Sequence, residues 1–301
     1  MDKQESAFDI HQGHGDHLDC IREDQETGAF LTNWLPRILA KGDIVATTSD
    51  PVAHNLGGAF PEKTLVFLIG YPHPPLRVVA MIAANAEKKQ NTLISAYPEY
   101  DGAEVPVRLT AIHEWANGLE ATLEGSVLGE ERDIAFFDTR YPCSKHRYKL
   151  GETYRFQLAA FAYSARFLEE NEKILRMVGK EAEDWYERVG KAINWQAEFD
   201  EKGHLKPIEI RMDGMVAFFC GPKAYPDDCD FQSPVFAIGD PISEFGVDFI
   251  RFDIAIARDA EDVVVPLIAR KALLPRLPSL EEPIRGRCWL QGHCLGESKP
   301  V

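Results

Sequence analysis

The segment from Asn117 to Phe167 constrains the fold most, because it repeats the two-residue period of β-strands. In Leu119–Glu124 apolar and polar side chains alternate strictly, so the pattern predicts a strand with one buried and one solvent-exposed face. Ile134–Phe137 is apolar on both faces, and Thr153–Ser164 alternates before it becomes fully apolar. We therefore predict three consecutive strands that form a core against which the rest of the chain packs.

Two further patterns extend this prediction to the whole chain. Apolar residues at three- and four-residue spacing predict helices at Phe30–Lys41 and Arg166–Gly190. After residue 207 the strand pattern returns, for example in Val247–Ala257. The fold class is therefore mainly β with helices (α+β): two small antiparallel β-modules bridged by a long helix. Short strands joined by turns at this spacing suggest sandwiches or OB-like, partly open five-stranded barrels.

The same patterns divide the chain into four segments. Residues 1–28 form an acidic, histidine-bearing N-terminal segment, and residues 29–165 form a first β-rich module with an N-terminal helix. Residues 166–206 are the helical bridge, and residues 207–301 form the second β-rich module. Whether the two modules share one core is left open by the pattern.

Net charge and cysteine content bound the partners and the compartment. The 301 residues carry a formal charge of −15, which disfavours nucleic acid and favours a basic protein partner. The six cysteines are sparse, and the sequence near Met1 has no apolar secretory signal, so we expect reduced thiols and a cytoplasmic protein. Prolines and an arginine interrupt the most apolar stretch, Leu65–Ala84, so we expect no membrane-spanning segment.

A first candidate metal site lies in the sequence HQGHGDHLDC near the N-terminus. Imidazole and thiolate groups recur there at three-residue steps, in His11, His14, His17 and Cys20. Such ligands suit zinc, nickel or copper. The alternative is a solvated, histidine-rich segment that binds metal only adventitiously.

A second candidate metal site is the sequence RGRCWLQGHC near the C-terminus, with Cys288, His293 and Cys294 as ligands. A closed tetrahedral zinc site would need a fourth ligand from elsewhere. The alternative is a final strand whose Trp289 packs into the core. A combined site formed by both termini is conceivable from the residue types alone.

Two loops carry the remaining candidate residues. Asp138, Lys145, His146, Arg147 and Tyr148 are the predicted ligand-binding residues of the first module. The alternative is a surface loop in which Asp138 caps a turn or pairs with an arginine. The acidic run Asp227–Asp230 is a hard-cation candidate, but after Tyr225-Pro226 it reads first as an acidic loop.

Two functions follow from these candidates. The sequence has no Gly-rich phosphate loop, no GxSxG motif and no HExxH motif, which removes the commonest enzyme classes. We therefore predict a cytoplasmic binding or interaction protein that engages a basic protein or another macromolecule. The alternative is a zinc-dependent enzyme that uses the His/Cys clusters with nearby carboxylates.

Overall fold

The computed structural model describes residues 14, 17–22, 26–54, 62–85, 89–127, 133–221, 225–258 and 261–297. His11 lies outside these residues. The helices are α1 (Thr27–Lys41), α2 (Tyr141–Ser144) and α3 (Lys180–Trp185), and α3 continues as a π-helical turn over Tyr186–Gly190. The strands are β1 (Asp43–Thr47), β2 (Val52–His54), β3 (Glu62–Tyr71), β4 (Leu76–Asn85), β5 (Gln90–Tyr100), β6 (Ala103–Glu114), β7 (Ala121–Val127), β8 (Asp133–Asp138), β9 (Thr153–Phe167), β10 (Ile174–Met177), β11 (Ile208–Arg211), β12 (Ala217–Cys220), β13 (Asp228–Ile238), β14 (Ile242–Glu244), β15 (Val247–Arg258), β16 (Asp262–Arg270) and β17 (Pro283–Glu297).

The long strands β9 and β17 organise the largest sheet. They pair antiparallel along almost their whole length, from Ile284 opposite Phe167 to Glu297 opposite Tyr154. On one side they are joined through β6, β7 and β8, and on the other through β16, β15 and β13. The pairing therefore forms two closed rings of five strands each that share β9 and β17.

This pairing answers the question that the sequence left open. β17 from the second predicted module completes the first ring, and β9 from the first module completes the second. Buried residues of both regions, such as Phe156 and Phe252, belong to one apolar cluster. The mainly β prediction is confirmed, whereas the OB-like assignment and the domain boundaries stay predictions.

The predicted long helix at Arg166–Gly190 is wrong. Its first residues end β9, and Ile174–Met177 pairs antiparallel with Ile208–Arg211. Gly179 then adopts φ +54°, a left-handed conformation that separates this strand from the short helix that follows. The three- and four-residue spacing of apolar side chains was misleading because pairing with β11 overrides local helix preference.

The predicted N-terminal helix is confirmed as α1, which begins three residues earlier than expected. It packs on β3 and β4 of a separate five-stranded sheet and buries Phe30 and Ile38. Pro36 lies inside this helix. Among the described residues, no helix is long and apolar enough to cross a membrane.

A second apolar cluster lies on the opposite side of the same strands. Neighbouring residues alternate between the two clusters: Phe136 belongs to the first and Phe137 to the second. The second cluster joins the strands to α1 and the five-stranded sheet, and it includes Phe161 and Trp289. Both faces of these strands are therefore covered. Polar side chains on the covered faces are buried between the two layers.

The cysteines differ from the expectation of reduced thiols. Cys220 and Cys229 lie directly opposite each other on β12 and β13 and form a disulfide. The other four cysteines are free, and Cys20 and Cys288 are buried. The cytoplasmic location and the basic protein partner stay predictions.

Candidate metal centre

Two histidines of the first candidate cluster meet an aspartate that lies far away in the sequence. His14, His17 and Asp227 bring their ligand atoms within 4.8 Å of one another. His14 and Asp227 are fully buried, and His17 is 9% exposed. Of the described residues, these three are the only such group of possible metal ligands. Cys20, Cys288, His293 and Cys294 are not part of it.

Asp227 fixes the orientation of His14. Nε2 of His14 lies 2.7 Å from Oδ2 of Asp227 and 2.9 Å from its Oδ1. Burial raises the pKa of Asp227, but the charge of His14 and its hydrogen bond outweigh burial, so the net pKa is lowered and Asp227 is an ionised acceptor. Nε2 of His14 must therefore carry the proton of this hydrogen bond.

Asp227 is itself held by two side-chain donors, one on β17 and one on β7. Nε1 of Trp289 donates a 2.6 Å hydrogen bond to Oδ2, and the hydroxyl of Thr122 donates a 3.3 Å bond to Oδ1. The backbone N–H of His14 donates to Oε2 of Glu120 at 3.0 Å. Thr122 and Glu120 belong to the polar face that the sequence predicted to be solvent-exposed, yet both are fully buried.

His17 is oriented by aromatic neighbours. Its ring stacks on Trp289 with centroids 4.5 Å apart and planes 1° apart. Its Nδ1 is hydrogen-bonded to the hydroxyl of Tyr163. Burial, followed by the charge of His14, holds the pKa of His17 well below its usual value, so the imidazole is neutral and able to bind a metal.

The two imidazoles face each other across a short gap. Nε2 of His17 lies 2.9 Å from Nδ1 of His14, and these are the two nitrogens not used by Tyr163 and Asp227. When His17 donates from Nδ1 and His14 from Nε2, two lone pairs point at each other, which is unfavourable unless a proton or a metal ion lies between them. Zinc–nitrogen bonds of about 2.0–2.1 Å at the tetrahedral angle would place the nitrogens about 3.3–3.4 Å apart, so zinc binding requires the two imidazoles to move apart by about 0.4 Å.

This pair lies at the base of a cleft of about 450 Å³. The cleft is also lined by Asp19, Tyr163, Tyr225, Asp228 and Arg287. Asp228 is notable because its side chain is 9% exposed and its Oδ1 is buried without a hydrogen bond in the described part of the chain. Burial and the neighbouring Asp227 raise the pKa of Asp228, and the nearby Tyr163 hydroxyl and Arg287 offset part of that rise.

The other predicted metal residues lie elsewhere. The sulfur of Cys20 is 3.9 Å from the carbonyl oxygen of Phe161, and Cys288 is buried in the first apolar cluster. His293 is 4% exposed and faces Glu99, with Nδ1 and Oε1 3.6 Å apart. The structure therefore brings together two of the seven predicted metal residues, His14 and His17. Metal binding by the others stays a prediction.

The predicted ligand-binding loop forms α2 and a following 3-10 turn. Oδ2 of Asp138 accepts a 2.6 Å hydrogen bond from Tyr148, and Oδ1 accepts one from the backbone N–H of Arg140 at 2.9 Å. Lys145 donates to Glu114 and to the carbonyl oxygen of Gly118. His146 and Arg147 are an exposed pair on this turn. Ligand binding by this group stays a prediction.

Sequence reasoning missed three contributors to the centre. Asp227 had been placed in an acidic loop, although its position after Tyr225-Pro226 was noted as a possible cation site. Trp289 was expected to pack in the core, which it does, but its indole N–H also holds Asp227. The role of Tyr163 could not be predicted from the sequence, because the residue lies in a run of apolar residues.

Comparisons with protein families, with curated proteins and with solved structures found no match for this chain.

Proposed function

We propose that this protein binds a zinc ion between His14 and His17 and uses it for hydrolysis in the cleft. The observation that carries the proposal is the 2.9 Å approach of two imidazole nitrogens whose opposite nitrogens are already hydrogen-bonded. A carboxylate behind a ligating histidine is the usual second partner in metal sites, and Asp227 supplies it for His14. This is the metal-dependent alternative that the sequence offered.

Asp228 supports the proposal as the candidate third ligand; it lies outside the group whose ligand atoms are within 4.8 Å of one another, so its side chain has to turn toward the histidines to bind the ion. Its buried Oδ1 lacks a hydrogen bond among the described residues, and it lines the same cleft as both histidines. A buried carboxylate oxygen without a partner is costly, and a cation would remove that cost. Two imidazoles and one carboxylate form a ligand set found in catalytic zinc sites, which keep a further position open for water or substrate.

In the proposed hydrolysis the zinc ion and the protein side chains have different roles. A bound zinc ion supplies Lewis acidity and lowers the pKa of a coordinated water. Asp227 and Tyr163 keep the imidazoles in the ligating tautomers, while Trp289 excludes water behind His17. In hydrolysis the water oxygen forms a bond to the substrate atom, the bond to the leaving group breaks, and the water proton ends on that group. No further reagent is needed.

Zinc titration of chelator-treated protein tests the proposal. We expect one zinc ion per chain, and with Co²⁺ as a substitute we expect visible absorption bands of a low-symmetry site. His17→Gln should abolish stoichiometric binding, and Asp228→Asn should weaken it about 10–100-fold. His73→Gln is the matched control, since His73 pairs with Asp43 at 2.7 Å on the surface. Equal zinc binding by wild type and His17→Gln would exclude the site.

The same contacts favour a second candidate, a metal-free proton relay. Asp227, His14, His17 and Tyr163 form one continuous hydrogen-bonded chain when a proton occupies the gap between the imidazoles. Such a chain suits general acid–base catalysis, with the Tyr163 end in the cleft. The zinc titration separates the two candidates, because a relay requires no stoichiometric metal and survives chelation.

A further inference from the structure

The cleft and a second groove share one lining residue. Arg287 lines both the cleft and a neighbouring groove of about 560 Å³. Its guanidinium donates to Oδ2 of Asp228 at 2.8 Å and lies 5.9 Å from the centre of the Tyr163 ring. A substrate that reaches the candidate metal centre from this groove therefore passes Arg287.

The groove is rich in arginine on an acidic protein. Its lining contains three arginines (Arg166, Arg285 and Arg287) and one acid, Asp230, although the whole chain carries a net charge of −15. Each arginine side chain is close to half exposed. Glu172 pairs with Arg166 and Arg285, and Asp228 pairs with Arg287, so together with Asp230 three carboxylates balance the three guanidinium groups in a protein that is otherwise acidic.

The strand register places two of these arginines side by side. Arg166 on β9 lies directly opposite Arg285 on β17, a position where like charges destabilise a sheet. Glu172 accepts hydrogen bonds from both guanidinium groups, at 2.6 Å and 3.3 Å, and its single charge neutralises only one of them. The second charge remains available to an anion.

An exposed aromatic ring lies in the same groove. Phe219 is 67% exposed, and across neighbouring strands it is opposite Asp230, which is in turn opposite Arg287. Arginines combined with an exposed aromatic ring are typical of sites that bind nucleotides or single-stranded nucleic acid, where bases stack and phosphates pair. An acidic peptide would use the arginines and leave the ring without a role.

We infer that the cleft and the neighbouring groove together bind phosphate esters of nucleotides or of single-stranded oligonucleotides, with the phosphate on Arg287 and Arg285 and a base against Phe219 in the groove. The inference rests on the proposed function for its chemistry. In that chemistry a water oxygen bonds to phosphorus, the ester P–O bond breaks, and the leaving oxygen takes the water proton. Binding to the groove itself requires no metal.

The test measures binding with chelator present, so that it is independent of zinc. The probe is a fluorescein-labelled oligothymidylate of six nucleotides, followed by fluorescence anisotropy at low salt, with adenosine monophosphate and hexaglutamate as competitors. We expect Arg285→Gln combined with Arg287→Gln to weaken binding at least about tenfold. Glu172→Gln should tighten it, because it releases two guanidinium groups. Arg155→Gln is the control, since Arg155 pairs with Glu104 on the surface.

The outcomes distinguish an oligonucleotide from a mononucleotide substrate. They also distinguish the phosphate-site inference from the zinc proposal. Arginine-dependent binding of the oligonucleotide, or of adenosine monophosphate alone, supports the inference and identifies the longer or the smaller substrate. No binding of either, unchanged binding by the double arginine variant, or equal competition by hexaglutamate would overturn it. Zinc binding without arginine-dependent binding overturns only this inference, whereas the reverse result overturns the zinc proposal and leaves the phosphate site in place.

Discussion

Trp289 and Asp227 connect the apolar core to the candidate metal centre: the indole N–H donates a 2.6 Å hydrogen bond to Oδ2 of the buried carboxylate. Trp289 lies on β17, one of the two strands shared by both rings, and the residue after it, Leu290, donates its backbone N–H to the carbonyl oxygen of Asp227. The carboxylate that orients His14 is thus held by side-chain and backbone contacts to one strand.

Replacing this indole should weaken zinc binding. Trp289→Phe keeps an aromatic ring beside His17 but removes the hydrogen bond to Asp227. Because partners behind a ligating histidine typically change metal affinity 10–100-fold, we expect a loss of about that size in a competition titration. Thr122→Val removes the longer 3.3 Å bond to the same carboxylate and should have a smaller effect. The reverse order, with circular dichroism unchanged in both variants, would contradict this role for Trp289.

The second predicted metal cluster should make no contribution to that zinc ion. Burial, followed by the charge of Arg140, lowers the pKa of His293 to about 4, and the side chain faces Glu99 rather than the cleft. We expect His293→Gln and Cys294→Ala to retain one zinc ion per chain at unchanged affinity. If elemental analysis finds one zinc ion per chain fewer in either variant than in the wild type, this cluster contributes to metal binding and the prediction is wrong.

The strands were predictable because their signal is local. The alternation in Leu119–Glu124 predicted β7, and its apolar residues Ala121 and Leu123 are buried in the first cluster as expected. The polar face was predicted to meet water, but the second apolar layer covers it, so Thr122 and Glu120 became buried partners of the centre. A period of two identifies the faces of a strand without identifying what covers them.

The centre was only partly predictable, since its members are joined by tertiary contacts. The spacing of His14 and His17 identified two possible ligands, whereas the partner of His14 lies 213 positions away. Cys288 and Cys294 have the same ligand chemistry in sequence, but alternation along β17 turns them away and points Trp289 at the site. The residue types in the sequence therefore identify possible metal ligands, whereas the strand register determines which of them face the site.

Neutralising the buried carboxylate of Glu99 should destabilise the protein strongly. It is 1% exposed and accepts hydrogen bonds from Arg77 at 2.6 Å, from Thr139 at 2.9 Å and from Arg140 at 3.3 Å. Glu99→Gln leaves two guanidinium groups with little compensation, and breaking a buried pair typically costs about 3–5 kcal/mol of unfolding free energy.

The matched control for Glu99 is Glu104→Gln. Glu104 pairs with Arg155 at 3.0 Å, and both side chains are about half exposed. Exposed pairs contribute about 1 kcal/mol or less, so urea unfolding should separate the two variants clearly. Similar losses for both would show that the Glu99 network is not a stabilising unit.

Asp138 should make the stability of the protein fall as pH rises. Burial raises the pKa of its carboxyl from 3.8 to about 6, although hydrogen bonds from Tyr148 and Arg140 partly oppose the rise. Between pH 4 and pH 6 the folded state therefore holds a proton that the unfolded state has lost, so ionisation costs more in the folded state. A difference of this size in pKa corresponds to about 3 kcal/mol. The unfolding free energy of wild type minus that of Asp138→Asn should decline by about this amount from pH 3 to pH 7, because other titrating groups cancel in the difference. A difference that stays flat or increases with pH would mean that Asp138 is ionised at no extra cost in the folded protein.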